Sequence, residues 1–279
     1  MPRTLQVSLP CGLSRTQGVV VRDAVIKKMK GRVQKDISEL SAAKNPNVSE
    51  IYNALLQACV ESVGEKPGTS LLFEQLTFGD RDWLLFEAVK LMKGETPRYT
   101  VKCDRHDVEI DVEGFDLSDL PVTGIADEAA LWLNVASGEA LTVAEWEVQG
   151  GVPEKTVRVF CLENADLGTR ALFTYPKGMH QKRLNRITED NVKVIWTLMS
   201  STCMHWKDEE RDVRAPNGGF KPDFWGDVDL DALQWAQAAF ADALPGMDTD
   251  ITVECPEGHE FNVKVSATDF LFSAQTQTS

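Results

Sequence analysis

The sequence predicts an α+β protein made by tandem duplication of a strand–helices–β-hairpin unit, giving two pseudo-equivalent halves. Three observations predict it. Stretches with helical spacing of apolar residues are interleaved with stretches that alternate apolar and polar residues, the two periodicities that separate helix from strand. Thr100-Val101-Lys102-Cys103, followed by His106, is echoed by Thr252-Val253-Glu254-Cys255, followed by His259. Two more blocks recur in the same order. Ala24–Gly31 matches Ala171–Gly178, extending into Lys-Gly-x-x-Gln-Lys at Lys30–Lys35 and Lys177–Lys182. Asn47, Val48, Ile51 and Cys59 match Asn191, Val192, Ile195 and Cys203. Trp83 and Gly94 match Trp235 and Gly246 at the same offset as the two Cys/His segments. The offsets differ by a few residues, as loop insertions would make them.

Along the chain, Gln17 to Met29 is rich in Val and Ile and reads as strand. A helix carrying Ile37 and Leu40 follows, and Asn45-Pro46 breaks it. A stronger helix spans about Val48 to Val63, with Ile51, Leu55, Leu56, Ala58 and Cys59 on one side and Gly64 as its stop. A third helix runs from Asp80, read as its N-cap, to Lys93. Tyr99 to Val112 then alternates around Asp104-Arg105 as a hairpin. Residues 1–120 form the first repeat, 121–155 a connector and 156–279 the second repeat. Within the connector Ala126–Val135 reads as helix and Leu141–Val148 as strand. Lys207 to Asp229, rich in charge, Pro and Gly, reads as a long inserted loop, and Ser273 to Ser279 as a polar tail.

Composition narrows the function classes. Of 279 residues, 43 are acidic and 29 basic, a formal charge of −14. Broad contact with nucleic-acid phosphates needs clustered Lys and Arg, so no nucleic-acid partner is expected. No apolar run approaches the length of a membrane span, so no membrane partner is expected either. The N-terminus lacks the apolar stretch of a secretory signal, which places synthesis in a reducing cytoplasm. The six cysteines are therefore expected as thiols or metal ligands.

Cys103 with His106, and Cys255 with His259, have knuckle-like spacing at hairpin tips. Pro256-Glu257-Gly258 supplies the tight turn of the second. Two thiolates and two imidazoles match the tetrahedral N/S preference of zinc. If the tips meet across a pseudo-twofold axis, one closed structural zinc site staples the halves together. Ordinary turn residues, or worn remnants of a metal knuckle, are the competing reading. Cys203 and His205 read as neighbours near a helix end, diverging around its axis, with Cys203 a core thiol. His180 stands where the first repeat has Val33, which argues against a shared catalytic histidine. No nucleophile elbow, phosphate loop or dinucleotide fingerprint is present, and no catalytic or cofactor-binding residues are assigned. The acidic runs Asp208-Glu209-Glu210 and Asp227–Asp231 read as solvated faces. Trp83 and Trp235 read as core. Trp132, Trp146, Trp196, Trp206 and Trp225 divide between core and interface readings.

Several of these features together carry a resemblance. Leu9-Pro10-Cys11-Gly12, the Val-rich strand, the Lys-Gly box, the helices and a Cys-centred hairpin running into Phe115-Asp116-Leu117 resemble the baseplate and hub proteins of contractile-tailed bacteriophages, typified by a T-even hub protein. Members carry a Cys-Pro-x-Cys-Gly-His-x-Phe knuckle. Cys255-Pro256-Glu257-Gly258-His259-Glu260-Phe261 is similar to it with the second Cys missing, and Cys103-Asp104-Arg105-His106 departs further. The resemblance implies a non-enzymatic virion component of the tail baseplate, assembled in the host cytoplasm. Its partners would be other baseplate or tail-tube proteins, with several copies in a symmetric ring. It implies no catalytic residues. A cytosolic tail-assembly chaperone absent from the mature particle is the alternative, and a metal-dependent enzyme a third reading.

Overall fold

A computed structural model describes residues 3–41, 47–112, 115–184, 191–215 and 218–272. The expected break at Asn45-Pro46, the tail from Ser273 and the Pro216-Asn217 pair lie outside them. The chain is α+β. It begins with strands β1 (Thr4–Ser14) and β2 (Val20–Lys27), helices α1 (Gly31–Ser41) and α2 (Val48–Cys59), strands β3 (Val60–Val63) and β4 (Lys66–Pro67), helices α3 (Ser70–Phe73) and α4 (Phe78–Lys93), and the hairpin β5 (Tyr99–Cys103) and β6 (Val108–Val112). The middle holds β7 (Val122–Thr123), β8 (Leu131–Asn134), β9 (Ala140–Leu141) and α5 (Val143–Val148). The rest holds β10 (Thr156–Asn164), β11 (Thr169–Thr174), α6 (Gly178–Leu184), α7 (Asn191–Thr202), β12 (Cys203–Lys207), β13 (Asp212–Arg214), α8 (Leu230–Asp242), β14 (Gly246–Met247), β15 (Asp250–Glu254), β16 (Glu260–Lys264) and α9 (Ala267–Phe272).

Two antiparallel sheets organise these elements, one ordered β1-β2-β3-β4 and one β13-β12-β11-β10-β8-β9. Each covers its own apolar cluster. The first gathers Leu9, Ile26, Leu55, Leu56, Phe73, Leu84 and Val89, and Phe270 of α9 joins it from the far end of the chain. The second gathers Phe173, Met199, Trp206, Trp225, Ala236 and Phe240. Burial of these faces is the main stabilising contribution, since a lone hairpin is marginal in water.

A bulge in β1 ties the pieces together. Between Ser8 and Leu13 the pairing with β2 slips, and the freed backbone groups of Leu9-Pro10-Cys11-Gly12 find other partners. The Cys11 and Gly12 amides donate to Asp80 Oδ1 at 2.8 and 3.2 Å. Arg22 donates to the Leu9 and Pro10 carbonyls, and Arg158 to the Cys11 carbonyl at 2.6 Å. Gly12 has φ +79°, and a Cβ there would meet Val20 Cγ1 at 2.4 Å, so glycine is required. Asp80 is thus a buried receptor for the bulge. The N-cap of α4 is Thr77, whose hydroxyl accepts from the Asp80 amide at 3.1 Å, which corrects the expectation that Asp80 caps the helix.

Several boundaries differ from expectation. The expected first strand at Gln17–Met29 is preceded by another, β1: Gln17 and Gly18, both at positive φ, form the turn that separates it from β2. The helix expected to reach Val63 ends at Cys59, because Val60 and Val63 pair with Ile26 and Ala24 of β2. The expected helix at Ala126–Val135 is instead a turn and β8, whose Leu131, Trp132 and Leu133 extend the second sheet along β10. The expected strand at Leu141–Val148 is mostly α5, opened by a capping box between Thr142 and Glu145. Cys203 and His205 lie on β12, not on a helix, drawn into the sheet opposite Phe173 and Leu172 of β11. The stretch Lys207–Asp229 is not a free arm, for β13 pairs with β12 and Trp225 is buried in the second core.

Candidate metal centre

The two Cys/His segments fold as two separate hairpins. β5 pairs with β6 from Tyr99 opposite Val112 to Cys103 opposite Val108. β15 pairs with β16 from Asp250 opposite Lys264 to Glu254 opposite Glu260. Alternation turns Val101 and Cys103, and Val253 and Cys255, to the buried side. At the first tip the Asp107 amide donates to the Cys103 carbonyl at 2.8 Å. At the second, the Cys255 amide donates to the His259 carbonyl at 3.0 Å and the Gly258 amide returns to the Cys255 carbonyl at 2.8 Å, with Gly258 at φ +74°. These turns aim each histidine back beside its cysteine.

The tips meet. Cys103 Sγ lies 3.3 Å from His259 Nδ1, and Cys255 Sγ lies 3.2 Å from His106 Nδ1, so each thiol faces the imidazole of the other hairpin. Cys103 Sγ is 3.8 Å from its own His106 Nδ1, and all four ligand atoms lie within 4.8 Å of one another. Zinc bonds of about 2.3 Å to sulfur and about 2.0 Å to nitrogen set the sulfur–nitrogen edge of a tetrahedron near 3.5 Å. The observed separations straddle that value. The two imidazoles stand at 88° to each other with centroids 5.7 Å apart, so both rings can aim a nitrogen at one centre without stacking.

The surroundings favour a metal that wants thiolate. Burial raises the Cys255 thiol, but hydrogen bonds from His106 and from the His259 and Glu257 backbone outweigh it and hold the thiol below its ordinary value. Phe261 stacks on the His259 ring at 5.6 Å and 18°, which limits its rotation. Lys102 and Asp107 form an ion pair beside the first tip. Phe261 is the Phe of the knuckle-like string, and strand alternation puts it on the same side as His259. The bases of the hairpins are held independently, for Phe270 of α9 packs on Tyr99 at 5.0 Å and on Phe86 at 6.2 Å.

All four sequence-selected residues, Cys103, His106, Cys255 and His259, are therefore brought together. Four protein ligands complete a tetrahedron, and sulfur and nitrogen donors exclude the oxygen-seeking Mg²⁺ and Ca²⁺. The other cysteine–histidine pair is not part of it. Cys203 is fully buried, which pushes its thiol far up, and His205 Nε2 contacts Asp212 Oδ1 at 2.7 Å. The tryptophans resolve toward the core, with Trp132, Trp146, Trp206 and Trp225 all buried. Among the described residues, no helix is long and apolar enough to cross a membrane. Fold and site thus define an α+β protein with a Cys₂His₂ cluster able to hold one tetrahedral metal. No protein-family model, curated protein or solved structure matches the chain.

Proposed function

We propose that the chain is a non-enzymatic structural or assembly component of a contractile-tail baseplate, acting through protein–protein contacts, and that one zinc ion staples its two hairpins. The observation that carries this reading is the closed ligand set. Four protein donors leave no position for a substrate or an activated water, whereas catalytic zinc keeps one open. A site of that kind stabilises a shape. The phage assignment rests on the short motifs at Leu9–Gly12 and Cys255–Phe261, and the closed site is consistent with it.

The tandem duplication belongs to the same proposal. The order β1, β2, α1, α2, β3, β4, α4 and the β5–β6 hairpin is answered by β10, β11, α6, α7, β12, β13, α8 and the β15–β16 hairpin, with α3 extra in the first series and β14 in the second. The registers support it. Pairing slips between Val25 and Ile26, placing Ile26 opposite Val60, and again between Leu172 and Phe173, placing Phe173 opposite Cys203. This aligns Cys203 with Val60, one residue from the match to Cys59 that the sequence offers. Two related halves would present quasi-equivalent surfaces to a ring of subunits.

Mass spectrometry of purified particles from a host carrying this gene tests the placement. Stoichiometric recovery in the baseplate supports it. Absence from finished particles, with the protein bound to a tail protein in the lysate, would make it an assembly chaperone instead.

A further inference from the structure

Away from the metal centre, a cleft of about 710 Å³ opens between the two sheets. Its charged lining is of one sign. Arg15, from the β1–β2 turn, Lys66 of β4, Arg158 of β10, and Lys177 and Arg183 at α6 bring five basic side chains to it, His180 adds an imidazole, and no described carboxylate lines it. In a chain of net charge −14 this is a local reversal.

The cations are incompletely neutralised. Arg158 has a half-exposed partner in Asp127 at 2.9 Å, yet its Nε is buried without a hydrogen-bond partner, as is Arg15 Nε. Among the described residues, no carboxylate lies within ion-pair distance of Arg15, Lys66 or Lys177, and Arg183 meets only the Ser201 hydroxyl, at 2.8 Å. The groups also repel one another. Burial, then the Arg158 charge, lowers the Lys177 ammonium, and burial with Arg183 and Lys177 pushes the His180 imidazole down to about 4. The His180 Nδ1 accepts the Lys177 amide at 2.9 Å, which leaves its Nε2–H as a donor. Concentrating like charge in a partly buried cleft is unfavourable for the empty protein and is relieved by an anion.

We propose that this cleft binds a small phosphate-bearing anion. Guanidinium groups match phosphate oxygens two at a time, and ammonium groups add compact charge. The volume falls in the range of small-molecule sites, roughly 300–1,000 Å³. Trp132 and Met204 supply an apolar wall beside the cations, where the organic part of a nucleotide-like ligand would rest.

Isothermal titration of the full-length protein with inorganic pyrophosphate, and separately with adenosine triphosphate, tests this. The expected result is one site per chain that weakens as salt rises. Neutralising a contacting cation in Arg15→Gln, Lys177→Gln or Arg183→Gln should weaken it about tenfold each, the loss of one charge-assisted hydrogen bond. Arg183 is exposed, so Arg183→Gln carries the test alone if a buried variant fails to fold. No binding of either probe at millimolar concentration, or unchanged affinity in the folded variants, overturns the proposal. Displacement of pyrophosphate by a lower concentration of a polyglutamate peptide would also overturn it, in favour of an acidic protein segment.

Discussion

Replacing Cys255 by serine should uncouple the protein's stability from zinc. The ligands come from distant parts of the chain, Cys103 and His106 on one hairpin and Cys255 and His259 on the other, so metal binds well only when both hairpins are docked. A ligand that binds the native state alone stabilises it by about 2.7 kcal/mol at one hundred times its Kd, and by about 1.4 kcal/mol more for each further tenfold rise. For 279 residues, an unfolding entropy of about 2.1 cal/mol/K per residue gives about 0.6 kcal/mol/K. If the chain unfolds as one unit, each tenfold rise in free zinc therefore lifts the melting temperature by about 2 °C, and saturation at one hundred times Kd by about 5 °C. Differential scanning fluorimetry in zinc buffers measures this slope. In Cys255→Ser the slope should vanish, because a serine hydroxyl stays protonated and is a poor zinc ligand. A melting temperature that ignores free zinc in the parent protein, or a slope that survives in the variant, refutes the reasoning.

Other perturbations test the surrounding framework. Asp127 accepts from both Arg22 and Arg158 at 2.8 and 2.9 Å. Partial burial raises its carboxyl, but the Arg22 hydrogen bond and charge, then Arg158, hold it below its usual value. Asp127→Ala strands the buried Arg158 and should cost about 2 kcal/mol in urea unfolding at pH 7, reduced from the fully buried case because Asp127 is half exposed; the cost should start to shrink as pH falls below about 4, the range of the unfolded carboxyl, and vanish once the folded parent, lower still, loses the same charge. Burial pushes Asp82 up to about 6 against the pull of Arg81, the Tyr52 hydroxyl and Lys264. The folded state thus holds this proton more tightly than the unfolded chain, so the contribution is fully favourable below about pH 4 and is lost as pH rises through 6. Asp82→Asn should raise stability by up to about 2 kcal/mol at pH 7.5 and leave it nearly unchanged at pH 3.5, and equal effects at both pH values would contradict the assignment. Phe270→Ala opens the aromatic contact that joins α9 to the base of the first hairpin, and should cost about 3–5 kcal/mol and weaken zinc binding in a chelator competition.

The four ligands were legible because their chemistry and their place in the chain coincide. A Cys and a His at the tip of an alternating segment, twice, is a local pattern, and folding had only to bring the tips together. The helices α2 and α4 were legible for the same reason, since apolar spacing and stop residues are local, and α8 only through the match of Trp235 and Gly246 to Trp83 and Gly94. What stayed hidden is decided by sheet partners. The strand β12 continues directly from α7, and only pairing with β11 turns Cys203-Met204-His205-Trp206-Lys207 into strand. Likewise β8 is a strand because β10 offers it an edge. Asp80 reads as a helix cap until the β1 bulge presents two amides to it. The α5 boundary is different, because Thr142 and Glu145 do spell a capping box, a local helix signal masked by the apolar residues around it. The cationic cleft was not legible at all, as its charged residues come from four separate segments and share no motif.

The most direct measurement is X-ray absorption at the zinc edge on the purified, metal-loaded protein, with metal content determined on the same sample. One zinc per chain, with a first shell of two sulfurs near 2.3 Å and two nitrogens at about 2.0–2.1 Å, is the predicted result. A shell of oxygen and nitrogen without sulfur, a bound water replacing one ligand, or no stoichiometric zinc would contradict a closed site formed by Cys103, His106, Cys255 and His259.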